Sequence, residues 1–315
     1  MPIIRTVSFP DERLLADLGP LPDGLRGVVW DLRSDPKDST LNEIDAVVLP
    51  YIDAGAVLPA LASVPGLKFV QTQSTGYDGV REAAGPAAAV STAAGVHAAA
   101  TAELALGLIL AKLRGIDQAV RDQQHGLWRP ERRQSLADRR VLLAGVGGIG
   151  QEIARRLEPF EVSVTRVGSA ARDDDHGHVH ASSELAELAA SHDILIAVLP
   201  LNGQTHRLIG EEVLAALPDG ALVVNVGRGA VVDTAALSRE VTSGRLQCAI
   251  DVVDPEPLPG DHPLWASPNA LITPHVGGNA SAFEPRILKL LRQQMDALAD
   301  GRNPANLVQR GPFGA

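Results

Sequence analysis

The stretch VLLAGVGGIGQEIARRL, residues 141–157, constrains the fold more than any other part of the chain. An apolar run leads into Gly145, Gly147 and Gly150, and a helix-like pattern follows. Alone, Gly-x-Gly-x-x-Gly is a weak signal. Between a strand and a helix it has a physical reading. The first glycine permits the tight turn, the second lets the backbone approach a pyrophosphate, and the third lets helix and strand pack closely. The helix N-terminus then offers unpaired N–H groups and a favourable dipole to phosphate. The competing reading is a tight strand–helix turn with no ligand.

The surroundings favour the nucleotide. Short β-like runs (RGVVWDL, AVVLPY, KFVQTQ, RVLLAGV, SVTRV, DILIAVLP, ALVVNVG, QCAIDVV, ALITPH) alternate with amphipathic helices such as IGQEIARRLEPF and DTAALSREVTSG. Such alternation points to parallel sheets with helices on both faces. The pattern breaks near STAAGVH, and a long helix is expected over residues 98–116. The last helical stretch, SAFEPRILKLLRQQMDALADG, is expected to return to the N-terminal part. The expected architecture is therefore α/β, with two doubly wound parallel-sheet domains. A Rossmann dinucleotide-binding domain, residues 96–280, is inserted in a flavodoxin-like substrate domain, residues 1–95 plus 281–315. Two crossings between domains would make a hinge beside a cleft.

Composition removes several classes. The chain has 315 residues, 45% hydrophobic and 21% charged, with a formal net charge of −10. That charge argues against a general nucleic-acid or membrane-surface binder. The most apolar run, AELALGLILAKL, is interrupted by Glu103 and Lys112 and is too short for a membrane span. The N-terminus lacks the basic-then-apolar layout of a secretory signal. Cys248 is the single cysteine, which fits a reducing, cytoplasmic compartment. It reads as a small core residue rather than a nucleophile.

The next landmark of a dinucleotide site is an acid about 20 residues on, placed to bind the ribose 2′-hydroxyl. The strand there ends at Gly168, which has no carboxylate. Arg166, Ser169 and Arg172 lie around it and offer charge-assisted hydrogen bonds to a 2′-phosphate. The expectation is NADP(H) in preference to NAD(H), which remains possible. The alternative has solvated surface arginines, with Asp173 or Asp174 reaching the ribose. His176, His178 and His180 follow three aspartates, but no further ligand cluster supports a metal site. They are expected in a loop and short strand inside the nucleotide-binding unit, and a polar loop near the adenosine end is the reading.

Three polar segments follow strands in the second half of the central unit: VVNVGRGAVVD, AIDVVDPEPLP and LITPHVGG. Ligands gather outside the carboxyl ends of strands in open α/β sheets. Arg228, Glu256 and His275 can therefore converge, although each alone would read as an ordinary loop side chain.

With these motifs in order, the chain resembles the D-isomer-specific 2-hydroxyacid dehydrogenases over residues 46–308. STGYDGV, AELALGLILAKLR, LLAGVGGIG, LPLNGQT, NVGRGAVVD, AIDVVDPEPLP and ITPHVGG all carry the resemblance. It implies that Arg228, Glu256 and His275 are catalytic. Ser74, Thr75 and Gly76 would form the substrate-carboxylate loop, with Asp251 beneath the nicotinamide carboxamide. Cofactor contacts are implied for Gly145, Gly147, Gly148, Ile149, Gly150, Gly168, Ser169, Arg172, Pro200, Thr205, Val226, Gly227 and Gly277. Gly168 departs from the family's usual acid.

The implied activity is hydride transfer between a nicotinamide cofactor and a small 2-keto or 2-hydroxy acid of the glyoxylate or hydroxypyruvate type. Arg228 would bind the keto acid through its fork of donors. His275 would give the proton as general acid, oriented by Glu256. Tyr51 is a candidate wall of the substrate pocket, with an ordinary buried tyrosine as the rival reading. Formate oxidation is disfavoured, because that branch pairs its histidine with glutamine. Phosphite oxidation and a dinucleotide-sensing corepressor remain as alternatives. No extra domain that would suit the corepressor, or a long-form regulated enzyme, is seen in the sequence. Relatives imply a homodimer, with Trp128 in GLWRPERRQ as a candidate anchor. The rival reading tucks Trp128 into its own domain.

Overall fold

The protein is described by a computed structural model over residues 4–313. Its chain divides into two compact units, Met1–His97 with Ser281–Ala315, and Ala98–Ala280.

The first unit opens with β1 (Thr6–Phe9), α1 (Glu12–Leu18), β2 (Arg26–Val29), β3 (Ala46–Val48), α2 (Ala54–Val57), β4 (Phe69–Gln71), α3 (Val80–Ala84) and β5 (Ala89–Ser91). Every residue of β1, β3, β4 and β5 is buried. That is the signature of parallel strands covered on both faces. Successive residues serve opposite cores. Ala46, Phe69 and Ala89 face one cluster, and Val47, Val70 and Val90 face the other.

The second unit holds α4 (Ala98–Leu113), α5 (Ile116–Gln123), β6 (Arg140–Ala144), α6 (Gly148–Leu157), β7 (Ser163–Gly168), β8 (Arg172–Asp174), β9 (Gly177–Ala181), α7 (Leu185–Ala189), β10 (Ile194–Ala197), α8 (Glu211–Ala216), β11 (Leu222–Asn225), α9 (Thr234–Thr242), β12 (Gln247–Ile250) and β13 (Ala270–Ile272). Its sheet runs β13-β12-β11-β10-β6-β7-β9-β8, parallel throughout except for β8, which is antiparallel to β9. Strand order reverses around β6, between β7 and β10. The carboxyl ends of β6 and β10 thus form a topological switch point, where α/β sheets hold ligands.

The chain then re-enters the first unit with α10 (Phe283–Ala299) and β14 (Leu307–Gln309). The completed sheet is ordered β14-β5-β4-β3-β1-β2, with β14 antiparallel. Helix α10 buries Ile287, Leu291, Met295 and Leu298 in the same cluster as Val7, Phe9 and Phe69. Gln294 is fully buried among them and fully used. It donates to Gln71 Oε1 at 2.7 Å and to the Ala305 carbonyl at 3.0 Å, and it accepts from the Ala305 N–H at 2.8 Å.

Strands β1, β5, β8 and β14 were not expected from the sequence. They have three or four residues each. The expected helix over residues 98–116 stops at Leu113, because Gly115 turns into the left-handed region (φ 65°) before α5 begins. No helix among the described residues is long and apolar enough to cross a membrane.

Candidate active site

The glycine turn sits at the switch point of the second sheet. Gly145 has φ 122°, and a Cβ there would lie 2.6 Å from the Val198 carbonyl oxygen. A Cβ on Gly150 would lie 1.9 Å from the Gly145 carbonyl oxygen, so only glycine lets α6 pack this closely on the turn. Around Gly147 and Gly148, by contrast, nothing lies within 4 Å of a built Cβ. The open side of the turn faces the N-terminus of the ten-residue helix α6, whose first turn carries no acid. Ile149 lies in that turn. The arrangement fits a dinucleotide pyrophosphate: bare backbone, unpaired helix N–H groups and no negative charge.

Where the adenosine end is expected, β7 stops at Gly168, with Ser169 exposed beyond it. The two arginines expected there do different things. Arg166 is buried and committed. Its fork meets the Asp174 carboxylate at 3.0 and 2.7 Å and the Gly177 carbonyl at 2.7 Å. This corrects the expectation that Arg166 reaches a cofactor phosphate, and equally the alternative that Asp174 reaches a ribose. The Arg166 guanidinium, with the His176 N–H, holds the Asp174 carboxyl at about 2. Arg172 instead lies against Gly168. Its Nη1 is 3.1 Å from where a Gly168 Cβ would sit, and its recorded bond is to the Ala170 carbonyl at 3.2 Å. His178 pairs with Asp173 and His180 with Glu184, each at 2.9 Å. Among the described residues no group of three or more His, Cys, Asp or Glu is suited to a metal.

Arg228, Glu256 and His275 follow β11, β12 and β13, three adjacent strands of one sheet. Buried Asn225 shapes the arginine loop by accepting from the Gly227 N–H and donating to the Arg228 carbonyl, both at 3.1 Å. A Cβ on Gly229 would lie 2.0 Å from the Val253 carbonyl oxygen, which explains the glycine after the arginine. Val226 and Gly227 are buried in the same loop. Pro200 follows β10, and its carbonyl accepts from the Thr205 hydroxyl at 2.6 Å.

The histidine turn depends on Asp251. This buried carboxylate accepts from the Thr273 hydroxyl at 2.5 Å and from the N–H groups of Val276 at 2.9 Å and Gly277 at 2.8 Å. The Asp251 carbonyl accepts from the His275 N–H at 2.8 Å. Held on both sides, His275 adopts φ 53°, which a non-glycine residue enters only when its surroundings require it. Its Nδ1 lies 2.8 Å from Glu256 Oε2, while Glu256 Oε1 accepts from the Val253 N–H at 3.0 Å. An ionised carboxylate only accepts, so Nδ1 donates and Nε2 is the ring's other nitrogen.

Electrostatics follow from this pairing. The Glu256 hydrogen bond raises the His275 pKa above its ordinary value, helped by the Glu256 and Asp251 charges and opposed by burial and Arg228. Burial works to raise the Glu256 pKa, but the bonds from His275 and Val253 and the charges of His275 and Arg228 take it lower. Arg228 thus acts on both partners.

In the first unit Ser74, Thr75 and Gly76 follow β4. The loop is braced by Ser74 Oγ donating to the Gly76 carbonyl at 2.7 Å and Thr72 Oγ1 donating to the Ser74 carbonyl at 2.6 Å. Thr75 Oγ1 is buried without a hydrogen-bond partner among the described residues. Tyr51 stacks on Phe283 (centroids 4.2 Å apart) and on His97 (5.3 Å). Phe283, His97, Asn225 and Thr273 were missed as supporting residues. Asn225 and Thr273 lie inside the quoted motifs, whereas nothing in the sequence links residues 51, 97 and 283.

The pairing is testable by NMR titration of the histidine ring. His275 should titrate above the ordinary value of about 6.5, and Glu256→Gln should lower it. The histidine's contribution to stability is then full below its unfolded value and lost as pH rises through the folded one, while that of Glu256 is lost as pH falls through its lowered value. An unchanged titration in Glu256→Gln would contradict the coupling.

A family model described as "D-isomer specific 2-hydroxyacid dehydrogenase, NAD binding domain" matches residues 106–277. A glyoxylate reductase from Aeropyrum pernix is 30% identical over 299 residues, 90% of this chain and 89% of that protein. The crystal structure of a D-isomer specific 2-hydroxyacid dehydrogenase from Xanthobacter autotrophicus Py2, in complex with NADPH and MES, aligns with TM-score 0.82 at 26% identity, covering 98% of this chain and 100% of that one. The NADPH-dependent glyoxylate/hydroxypyruvate reductase of Sinorhizobium meliloti, in complex with NADP and malonate, aligns with TM-score 0.82 at 27% identity, covering 100% and 99%. Family model, relative and solved structures agree on one family. The chain belongs to the D-isomer specific 2-hydroxyacid dehydrogenases, NAD(P)-dependent oxidoreductases that move a hydride between the cofactor and a small 2-keto or 2-hydroxy acid.

Proposed function

We propose that this chain reduces glyoxylate, hydroxypyruvate or a similarly small 2-keto acid with NADPH, using Arg228, Glu256 and His275 as its catalytic set. The observation that carries the assignment is the 2.8 Å pairing of His275 Nδ1 with Glu256 beside Arg228. A bound nicotinamide supplies the hydride. Arg228 binds the carboxylate and ketone oxygens, and His275 Nε2 gives a proton to the oxygen on which negative charge develops. Glu256 keeps the imidazole charged and oriented. Ser74, Thr75 and Gly76 take the substrate carboxylate, a role supported by the unpartnered Thr75 hydroxyl, and Tyr51 lines the pocket. The turn from Gly145 to Gly150 holds the pyrophosphate. Pro200, Thr205, Val226, Gly227, Asp251 and Gly277 line the nicotinamide end. Glyoxylate reductases stand among the relatives matched, which disfavours phosphite oxidation and a corepressor role.

NADPH is favoured by Gly168 and by the Arg172 guanidinium beside it, where the family's usual acid would stand. The NADPH-dependence of the Sinorhizobium meliloti relative supports the same choice. A homodimer is the proposed assembly. Trp128 is 92% exposed in the single chain rather than tucked into its own unit, and Ile116, Val120 and Leu127 are exposed too. The proposed compartment is the cytoplasm, consistent with the lone, buried Cys248.

His275→Ala should lower kcat by about 10²–10⁴-fold, the usual loss of a general acid, and Arg228→Ala should raise KM as well. Reduction should slow as pH rises through the raised His275 pKa, and oxidation should show the opposite limb. Near-normal turnover in both folded variants would sink the assignment.

For the cofactor, kcat/KM should be about tenfold or more higher with NADPH than with NADH, the effect of one charge-assisted bond. Gly168→Asp should reverse that preference. Its Cβ would stand 3.0 Å from Val179 Cγ1, so a small loss of stability should accompany it. Equal or better use of NADH by the unaltered protein refutes the cofactor reading. Sedimentation at micromolar concentration should show a dimer, and a 33.1 kDa species alone would exclude one.

A further inference from the structure

Strand β9 has an arginine on each side. Val179 is in register with Arg166 of β7 and with Arg172 of β8, so the three side chains leave the sheet on one face. The two guanidinium groups point opposite ways. Arg172 bends toward Gly168, at the carboxyl end of β7. Arg166 bends away from it, into the turn after β8, where it meets Asp174 through both nitrogens and also the Gly177 carbonyl. Asp174 Oδ1 accepts the His176 N–H at 2.9 Å as well, so one carboxylate closes the turn and ties it to β7. Strand β8 is a three-residue edge whose only strand partner among the described residues is β9. So short a strand has little stability of its own. Besides its ladder with β9 and the Asp173–His178 pair, its far end is tied to β7 by the Arg166 side chain, which is only 10% exposed and so needs its partner.

We propose that Asp174 is a positioning residue for cofactor selectivity: by anchoring Arg166 and the turn to Gly177, it fixes the hairpin that presents Arg172 beside Gly168. The role rests on the NADPH reading above. Asp174 touches no cofactor in this scheme. It also keeps the second arginine neutralised and turned away, so a single guanidinium serves the 2′-phosphate.

The test compares steady-state kinetics of Asp174→Ala, Asp174→Asn, Asp174→Glu and Arg172→Ala with both cofactors. Asp174→Ala and Asp174→Asn should raise KM for NADPH about tenfold, the order of one charge-assisted bond lost. KM for NADH and kcat should stay unchanged, which also reports that the variants are folded. Should the alanine variant not fold, the asparagine variant carries the test. Asp174→Glu should restore most of the NADPH affinity. An unchanged KM, an equal rise with both cofactors, or a fall showing that freed Arg166 joins the phosphate site would each overturn the proposal. If Arg172→Ala raises KM for NADPH and the Asp174 variants do not, the positioning role alone fails. If Arg172→Ala has no effect, the cofactor reading fails and this role with it.

Discussion

The carboxylate of Asp251 is the contact on which the proposed chemistry depends. It is buried at the end of β12 and accepts three hydrogen bonds from the turn that follows β13. Those bonds, with its own carbonyl on the His275 N–H, hold the histidine in a left-handed conformation that would otherwise be unfavourable. Only then does Nδ1 meet Glu256, and only then is the imidazole pKa raised. The resemblance had assigned Asp251 to the cofactor. The geometry adds a second duty, since most of its acceptor capacity is already spent on the turn that carries the histidine.

The same economy of space runs along the carboxyl edge of this sheet. Glycines stand where a backbone carbonyl fills the position a side chain would need: Gly150 against Gly145, and Gly229 against Val253. Close approach seats α6 on the turn after β6 and brings the loops after β11 and β12 together without bulky intermediaries. Helix α6 can then point its N-terminus at the open side of the glycine turn. Sterics and electrostatics thus select one feature, a bare backbone beside unpaired N–H groups.

At the other end of the nucleotide turn, charge is sorted rather than accumulated. Sequence alone presents two arginines and three aspartates around Gly168, with several equally plausible pairings. Burial decides among them. Arg166 lies in a strand and is covered, so it must be paired, and Asp174 is the carboxylate within reach. Arg172 lies on the edge, where solvent makes pairing optional. On the proposed reading, selectivity rests with the arginine that burial does not claim.

What the sequence determined is the alternating strand–helix plan, the glycine turn and the three strand-end residues Arg228, Glu256 and His275. These follow from local rules: apolar periodicity, the steric needs of glycine, and ligand binding at strand carboxyl ends. Four short strands escaped, among them β8 and β14, antiparallel edge strands whose pairing the tertiary structure sets. The tertiary structure alone decided which partner each polar group takes. Asp174 goes to Arg166, Asp251 to the histidine turn, and Tyr51 to Phe283 and His97, although those aromatic residues lie far apart in the chain. The physical reason is that pairing strength depends on burial and distance, and neither is written in the spacing of residues along a sequence.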